Sequence, residues 1–540
     1  MMQVLRRVVA VRPNGASSSR NNNKWLFGEG SKFAGRSAVS CHCYASSSSS
    51  SRSGGAQAAG RVRPELTALR YKVERGPYAE LGQRDESFFR SLLGEDRVIT
   101  EPDECDSYNI DWLRSVRGSS RIVLKPKNTD EVSAIMSYCN EKRLAVCPQS
   151  GNTGLVGGSV PVFDEVVLSM KLMNRIIDTD PLAGVLVCES GCVLQTLDEH
   201  LNKHGMLMPL DLGAKGSCLI GGNVSTNAGG LRLLRYGNLH GNILGLEAVL
   251  ASGKVIDCLN TLKKDNTGYH LKHLFVGSEG TLGVVTKVAI QCPSLPKAVN
   301  VAFLGMNSWD SVMKTYRLAK SELSEILSAC EIIDRKSVEN ARDTLGLRSP
   351  LASEHEFYVL IETSGSEARH DDEKVSAFLE KAMSEGVVDD GTVTSEPSKV
   401  RNIWELRERM SESQTAEGYL FKYDISLPLE EYYSIVPAVT ERLKDCNVRF
   451  VTGFGHVGDG NLHLQINTPD FDQEVHDMLE PWVFDYTSKR RGSISAEHGI
   501  GFKKAKYLHY SKDGSAIELM RTIKATMDPN GILNPYKVVC

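Results

Sequence analysis

Pro148-Gln-Ser-Gly-Asn-Thr-Gly-Leu-Val-Gly-Gly-Ser159 places four glycines in twelve residues directly behind an apolar run. The run belongs to a β-α-β pattern. Arg121–Pro126 reads as a buried strand, and Asn128 with Glu131 three residues later is a capping box. Val132, Ile135, Met136 and Cys139 then recur at helical spacing, and Leu144–Cys147 reads as the next strand. Residues 205–245 hold ten glycines, against the three to four expected from 47 in 540. They are interleaved with Leu, Ile and Val, so this is no flexible linker. Glycine allows close backbone approach, and successive free N–H groups form a nest for pyrophosphate. Two such loops, Gly151–Ser159 and Gly213–Gly230, point to a dinucleotide. Tight turns in a crowded α/β core would use the same glycines.

The lone GxGxxG, Gly453-Phe-Gly-His-Val-Gly458, leads into alternating Leu462, Leu464 and Ile466. A Rossmann unit needs a helix there, and the chain has no GxxxxGK[ST], so neither a Rossmann NAD site nor a P-loop is present. Hydrophobic residues at 41% and charged residues at 24% exclude a mainly disordered or fibrous chain. No run of about 18 apolar residues occurs, which excludes a membrane-spanning helix. Residues 1–60 carry eight Lys/Arg and one acid, Glu29, and end in the Ser46–Ser51 run. That composition fits a disordered organellar transit peptide, mitochondrial before plastid, though an unaddressed tail would look alike. The remainder carries 55 basic and 66 acidic side chains, and such an acidic body would repel nucleic acid. The 13 cysteines include no CxxC pair and read as reduced thiols.

Near the C-terminus, strand alternation buries Leu462 and Leu464 and turns His463 and Gln465 to the opposite face. His456 falls in the glycine turn before them, and Ala496-Glu-His-Gly499 follows later. Two imidazoles and a carboxylate are a normal set for catalytic Zn²⁺. His456 could equally be a satisfied turn histidine. Arg407 and Ser411 are four apart on a helix read over 404–413, and Leu420, Lys422 and Asp424 share one face of a strand. Each of these charges, taken alone, reads as a solvated surface charge before a site residue.

The loop at 148–159, Pro209-Leu-Asp-Leu-Gly-Ala-Lys-Gly-Ser217, Ile220-Gly-Gly-Asn-Val-Ser-Thr-Asn-Ala-Gly-Gly230, Gly277-Ser-Glu-Gly-Thr-Leu-Gly283 and Asn534-Pro-Tyr-Lys537 resemble the vanillyl-alcohol-oxidase type of FAD flavoenzyme. The match runs in order over about residues 85–540. It implies an α+β fold: a two-lobed PCMH-type FAD-binding domain over 116–295 and a substrate domain over 296–465. The latter would have an antiparallel sheet with flanking helices. A helical segment over 466–540 would complete the flavin and metal sites, and 61–115 would be an N-terminal helical or extended segment. FAD would be held without a covalent link. Its implied contacts are Gly151, Asn152, Thr153, Gly154, Gly157, Gly158, Ser159, Pro209, Leu210, Asp211, Gly213, Gly216, Ser217, Gly221, Gly222, Asn227, Gly229, Gly230, Glu279, Gly280 and Asn534.

The resemblance further assigns Zn²⁺ or another divalent metal to His456, His463 and Glu497, and makes His498 the catalytic base. Arg407, Ser411, Lys422, Gln465 and His498 would contact the substrate. Ser411 stands where Thr also occurs, and Gln465 where relatives carry Asn. The implied reaction is oxidation of D-2-hydroxyglutarate to 2-oxoglutarate. The hydroxyl proton goes to His498, the C2 hydride goes to flavin N5, and an electron-transfer flavoprotein is the acceptor. The mitochondrial matrix and a homodimer are implied alongside. D-lactate or glycolate would suit the same chemistry. A zinc hydrolase would use the histidines but leave the two glycine loops and Asn534 unexplained.

Overall fold

Three sheets organise residues 63–539, the part of the chain that this computed structural model describes. The expected leader at 1–60 lies outside it. The first sheet comprises β1 (Val98–Ile99), β2 (Val123–Leu124), β3 (Val146–Gln149) and β4 (Val166–Ser169), in the order β1-β2-β4-β3. β2, β4 and β3 run parallel, and the helix Thr129–Lys142 that links β2 to β3 buries Val132, Ile135, Met136 and Cys139. Left-handed Arg143 ends that helix, so β3 begins two residues later than the apolar run suggests. Only half of the expected capping box forms. Asn128 Oδ1 accepts from the Glu131 amide at 2.9 Å, but the Glu131 carboxylate accepts from the Lys127 amide and pairs with Arg97.

β1 pairs antiparallel with β2, and Phe89 and Leu93 share this lobe's core with Ile532 and Leu533. The expected boundary at 115/116 therefore falls inside one packed body. The C-terminal strand-like run docks on β3, with the Val146 amide donating to Ile532 O at 2.8 Å and the Asn534 amide to Val146 O at 2.8 Å.

The second sheet comprises β5 (Ile176–Asp180), β6 (Val185–Glu189), β7 (Ile243–Val249), β8 (Val255–Cys258) and β9 (Val284–Gln291), antiparallel in the order β5-β6-β9-β7-β8. The glycine-rich stretch lies between β6 and β7. It is not slack chain: Met206, Met208, Leu210, Cys218, Ile220 and Val224 anchor it in this lobe's core.

The third sheet has seven antiparallel strands: β10 (Ala298–Met306), β11 (Leu327–Asp334), β12 (Phe357–Gly365), β13 (Asp390–Thr394), β14 (Tyr419–Ser426), β15 (Phe450–His456) and β16 (Asn461–Thr468). Their order is β13-β10-β12-β11-β15-β16-β14. One face packs Ile332, Ile361, Tyr423, Leu462, Leu464 and Ile466 against the helices Trp309–Glu322, Ala368–Ser384 and Ile435–Arg442. The expected boundary at 465/466 cuts β16, which continues to Thr468. The charge-rich runs at 370–374 and 389–399, which by composition read as linkers, belong to regular elements. The first opens a helix that buries Val375, Phe378 and Ala382, and the second contains β13.

Among the described residues no helix is long and apolar enough to cross a membrane, and the ten cysteines there are all free.

Candidate active site

A β-strand alternates its side chains between two faces, and in the third sheet that alternation separates core from chemistry. Phe421, Tyr423 and Ile425 join the apolar core, so Lys422 and Asp424 take the other face of β14. In β16, Leu462, Leu464 and Ile466 face the core, and His463 and Gln465 do not. Register aligns the polar set: Lys422 opposite Gln465, Asp424 opposite His463, and Glu331 opposite His456. His456 is the last residue of β15, not part of the turn that follows. A cavity of about 1030 Å³ lies over this face and reaches both glycine loops. Ligand sites usually span about 300–1,000 Å³, so the space far exceeds a small hydroxy acid.

The wall on the lobe side contains Gly151, Asn152, Thr153, Gly154, Gly158, Ser159, Asp211, Gly213, Gly216, Ser217, Gly221, Gly222, Gly229, Gly230, Glu279 and Gly280. A Cβ on Gly151 would stand 2.5 Å from Ser217 O, so the two loops meet only because glycine is there. Among the described residues, no backbone amide from Gly151 to Ser159 donates a hydrogen bond within the protein. A run of unspent amides on a cavity wall suits the pyrophosphate of FAD.

Five of the expected FAD contacts are set back from this cavity. Leu210 is buried in the lobe core with Pro209 beside it, and Gly157 packs against Val116. Asn227 Oδ1 accepts from the His240 amide at 3.0 Å. Asn534 Nδ2 donates to Gly158 O and Glu279 O at 3.0 and 2.8 Å, while its Oδ1 accepts from Lys537 at 2.6 Å. Some residues on the wall also have occupied side chains. Ser159 donates to Asn152 Oδ1 at 2.7 Å, and the Asp211 carboxylate is paired with Lys215 and Arg232 at 3.0 and 3.1 Å. The Glu279 carboxylate accepts the Ile500 and Gly501 amides at 2.7 Å each. These groups tie the loops together instead of offering hydrogen bonds to a ligand.

On the opposite wall His456, His463 and Glu497 converge. His456 Nε2 lies 3.0 Å from Glu497 Oε1 and 3.4 Å from His463 Nε2, and all the ligating atoms fall within 4.8 Å of one another. Burial pushes His463 down to about 3, which keeps it a neutral donor. Burial raises Glu497, but His456 outweighs it and brings the carboxyl down to about 2. Two imidazole nitrogens and an ionised carboxylate fit a divalent metal.

Asp424 was on the predicted face but without a role, and it proves central. Its Oδ2 accepts the amides of Glu497 and His498 at 3.0 Å each, and its Oδ1 accepts Asn461 Nδ2 at 2.8 Å. His498 Nδ1 is 3.5 Å from Oδ2, and His463 Nδ1 is 3.9 Å from Oδ1. One buried carboxylate thus holds the loop that carries Glu497 and His498 and lies beside the rings of His463 and His498. Asp424→Asn keeps the shape but cannot accept all these protons. It is expected to slow flavin reduction roughly 10- to 100-fold, in line with losses at outer-shell partners of metal ligands. Rapid mixing with substrate checks this, and a rate within twofold of the parent would refute it.

Arg407, Ser411, Lys422 and Gln465 all reach the cavity. The predicted helix over 404–413 is interrupted at Arg409, giving separate helices Pro397–Glu408 and Met410–Thr415. Ser411 still accepts from Gln465 Nε2 at 3.0 Å. Gln465 Oε1 is buried with no hydrogen-bond partner among the described residues.

Relatives settle the family. Residues 120–259 match the family described as FAD binding domain, and residues 295–538 match FAD linked oxidases, C-terminal domain. A mitochondrial D-2-hydroxyglutarate dehydrogenase of Danio rerio is 55% identical over 463 residues, covering 86% of each chain. The chain belongs to the D-2-hydroxyglutarate dehydrogenase family. It is 48% identical to a D-2-hydroxyglutarate–pyruvate transhydrogenase of Saccharomyces cerevisiae, over 88% of this chain and 98% of that one. The fold matches p-cresol methylhydroxylase with a TM-score of 0.69 over 84% of this chain and 96% of that one, at 17% identity. Membership of the D-2-hydroxyglutarate dehydrogenase family makes this an FAD-dependent oxidoreductase with the α+β, PCMH-type architecture.

Proposed function

We propose that this chain oxidises D-2-hydroxyglutarate to 2-oxoglutarate in the mitochondrial matrix, with an electron-transfer flavoprotein as acceptor. The observation that carries the substrate is Lys422. Its ammonium lines the cavity with no hydrogen-bond or ion-pair partner among the described residues. Burial, with Lys503 adding to it, pushes its pKa down to about 8. A desolvated, unpaired cation beside a metal-type cluster calls for an anion from outside, and a dicarboxylate has one to spare. The family relatives and the large cavity support FAD at the same site.

FAD, when bound, would supply the hydride acceptor, and His456, His463 and Glu497 would hold a divalent metal able to make the substrate hydroxyl more acidic. His498 presents Nδ1 to Asp424, which leaves Nε2 as the atom that takes the hydroxyl proton. Asp424 then faces the imidazolium and stabilises its charge. Lys422 and Arg407 bind the carboxylates, and the Ser411–Gln465 pair lines the same wall.

Anaerobic bleaching of the flavin with D-2-hydroxyglutarate, its L-enantiomer, D-lactate and glycolate, added separately, tests this reading. Fast bleaching by D-2-hydroxyglutarate alone is expected, whereas bleaching mainly by D-lactate would transfer the assignment to a monocarboxylate. Lys422→Met should raise KM for hydroxyglutarate roughly 10- to 100-fold, the worth of one charged hydrogen bond. D-lactate turnover should hardly change. In the parent, KM for hydroxyglutarate should climb as pH rises past about 8, because the neutral amine no longer binds the carboxylate. A flat KM from pH 7 to 9.5 would refute this role of Lys422.

A further inference from the structure

Glu331 does not itself line the cavity and has had no role so far, yet it is almost fully buried at the centre of the third sheet. It precedes His456 by 125 residues and reaches it only because β11 pairs with β15 in that register. Its two oxygens are divided. Oε1 lies 2.8 Å from His456 Nδ1, while Oε2 accepts from Arg407 Nε at 2.9 Å and lies 2.8 Å from Arg407 Nη2. The Phe454 ring lies 5.0 Å from the same guanidinium. A carboxylate in water would gain little from either contact. In a sheet core both partners are held in one orientation, and removing the acid would leave two buried groups facing nothing.

The divided contact has a chemical consequence. With Nδ1–H donated to Oε1, His456 can present only its Nε2 lone pair to the cavity, next to Glu497 and His463. With Nε donating to Oε2 and Nη2 beside it but without a hydrogen-bond partner among the described residues, Arg407 keeps its terminal N–H groups for a substrate carboxylate.

We propose that Glu331 is a positioning residue that ties the carboxylate clamp Arg407 to the metal ligand His456, so that metal affinity and substrate affinity change together. The proposal rests on the reading that His456, His463 and Glu497 hold a divalent metal and that Arg407 binds substrate. Glutamine at 331 has one acceptor oxygen and cannot serve both partners.

The test is isothermal titration of FAD-loaded, metal-stripped enzyme with Co²⁺, alongside steady-state kinetics on D-2-hydroxyglutarate. Glu331→Gln should weaken Co²⁺ binding about tenfold or more, as loss of a ligand's outer partner does. In the same variant KM should rise by about fivefold or more, a change that mere loss of active protein would not produce. Arg407→Met approaches from the other side. It touches no metal ligand, yet it leaves the whole carboxylate charge to His456 and should tighten Co²⁺ binding by about threefold. It also keeps the proposal testable if Glu331→Gln does not fold. Co²⁺ affinity within twofold of the parent in either variant, or a KM shift in Glu331→Gln without a Co²⁺ shift, would overturn the tie. A parent enzyme that binds no Co²⁺ would instead overturn the metal reading, and the proposal with it.

Discussion

Replacing His498 with glutamine is expected to slow flavin reduction by D-2-hydroxyglutarate about 10²- to 10⁴-fold, the usual contribution of a positioned general base. The size follows from the geometry. The His498 backbone is held by Asp424 through its own amide, so the loop should keep its place when the ring is lost. Glutamine has a similar reach but no nitrogen lone pair to take the hydroxyl proton. Stopped-flow mixing under anaerobic conditions reads the step directly, with the visible flavin spectrum confirming that FAD is retained. The residual rate should also rise with pH, because hydroxide then replaces the missing base. A variant that reduces its flavin within tenfold of the parent rate would remove His498 from the role.

Metal removal should be nearly as damaging. Stripping the enzyme with a chelator, or changing Glu497 to alanine, takes away several kcal/mol of charge stabilisation, or about 10²- to 10³-fold in flavin reduction. Co²⁺ or Zn²⁺ should restore the stripped parent but not the variant. The pH dependence has a definite sign. Burial alone would lower the pKa of His456, but Glu331 and Glu497 flank the ring and raise it well above its ordinary value. The metal-free site therefore holds a proton on His456 that the metal must displace. Below that pKa, affinity for Co²⁺ should fall about tenfold for each unit of acidification per proton released. Affinity constant from pH 8 to 6 would contradict that competition.

What could be read in the sequence was whatever is encoded locally. The glycine loops announce themselves by spacing, and the alternation of Leu462, Leu464 and Ile466 with His463 and Gln465 gives the strand and its two faces. The loop Glu497-His498 stands out as a ligand next to a base. What could not be read was pairing across the sheet. Glu331 sits in an apolar run where a single acid is an oddity without a partner, and its partners appear only once β11 lies beside β15. Asp424 was on the correct face, but nothing local says that it receives amides from 73 and 74 residues away. Glu279 and Asn534 illustrate the opposite difficulty. Their motif marks them for the flavin, while folding brings other backbone groups within reach of their side chains first. The break at Arg409 has no signal in the local sequence, because Leu406 and Met410, four apart, enter one core as they would on an unbroken helix.

The short loop from Glu497 to Gly501 is suspended between two buried carboxylates, Asp424 from the third sheet and Glu279 from the glycine-loop side. If the two carboxylates move apart by the length of a hydrogen bond, the loop stays with one of them and the two amides held by the other start to exchange with deuterium as a pair. Where the loop stays with Glu279, Glu497 and His498 leave Asp424 together. Paired exchange at 497 and 498, or at 500 and 501, would thus tell which of the two carboxylates lets go of the loop first.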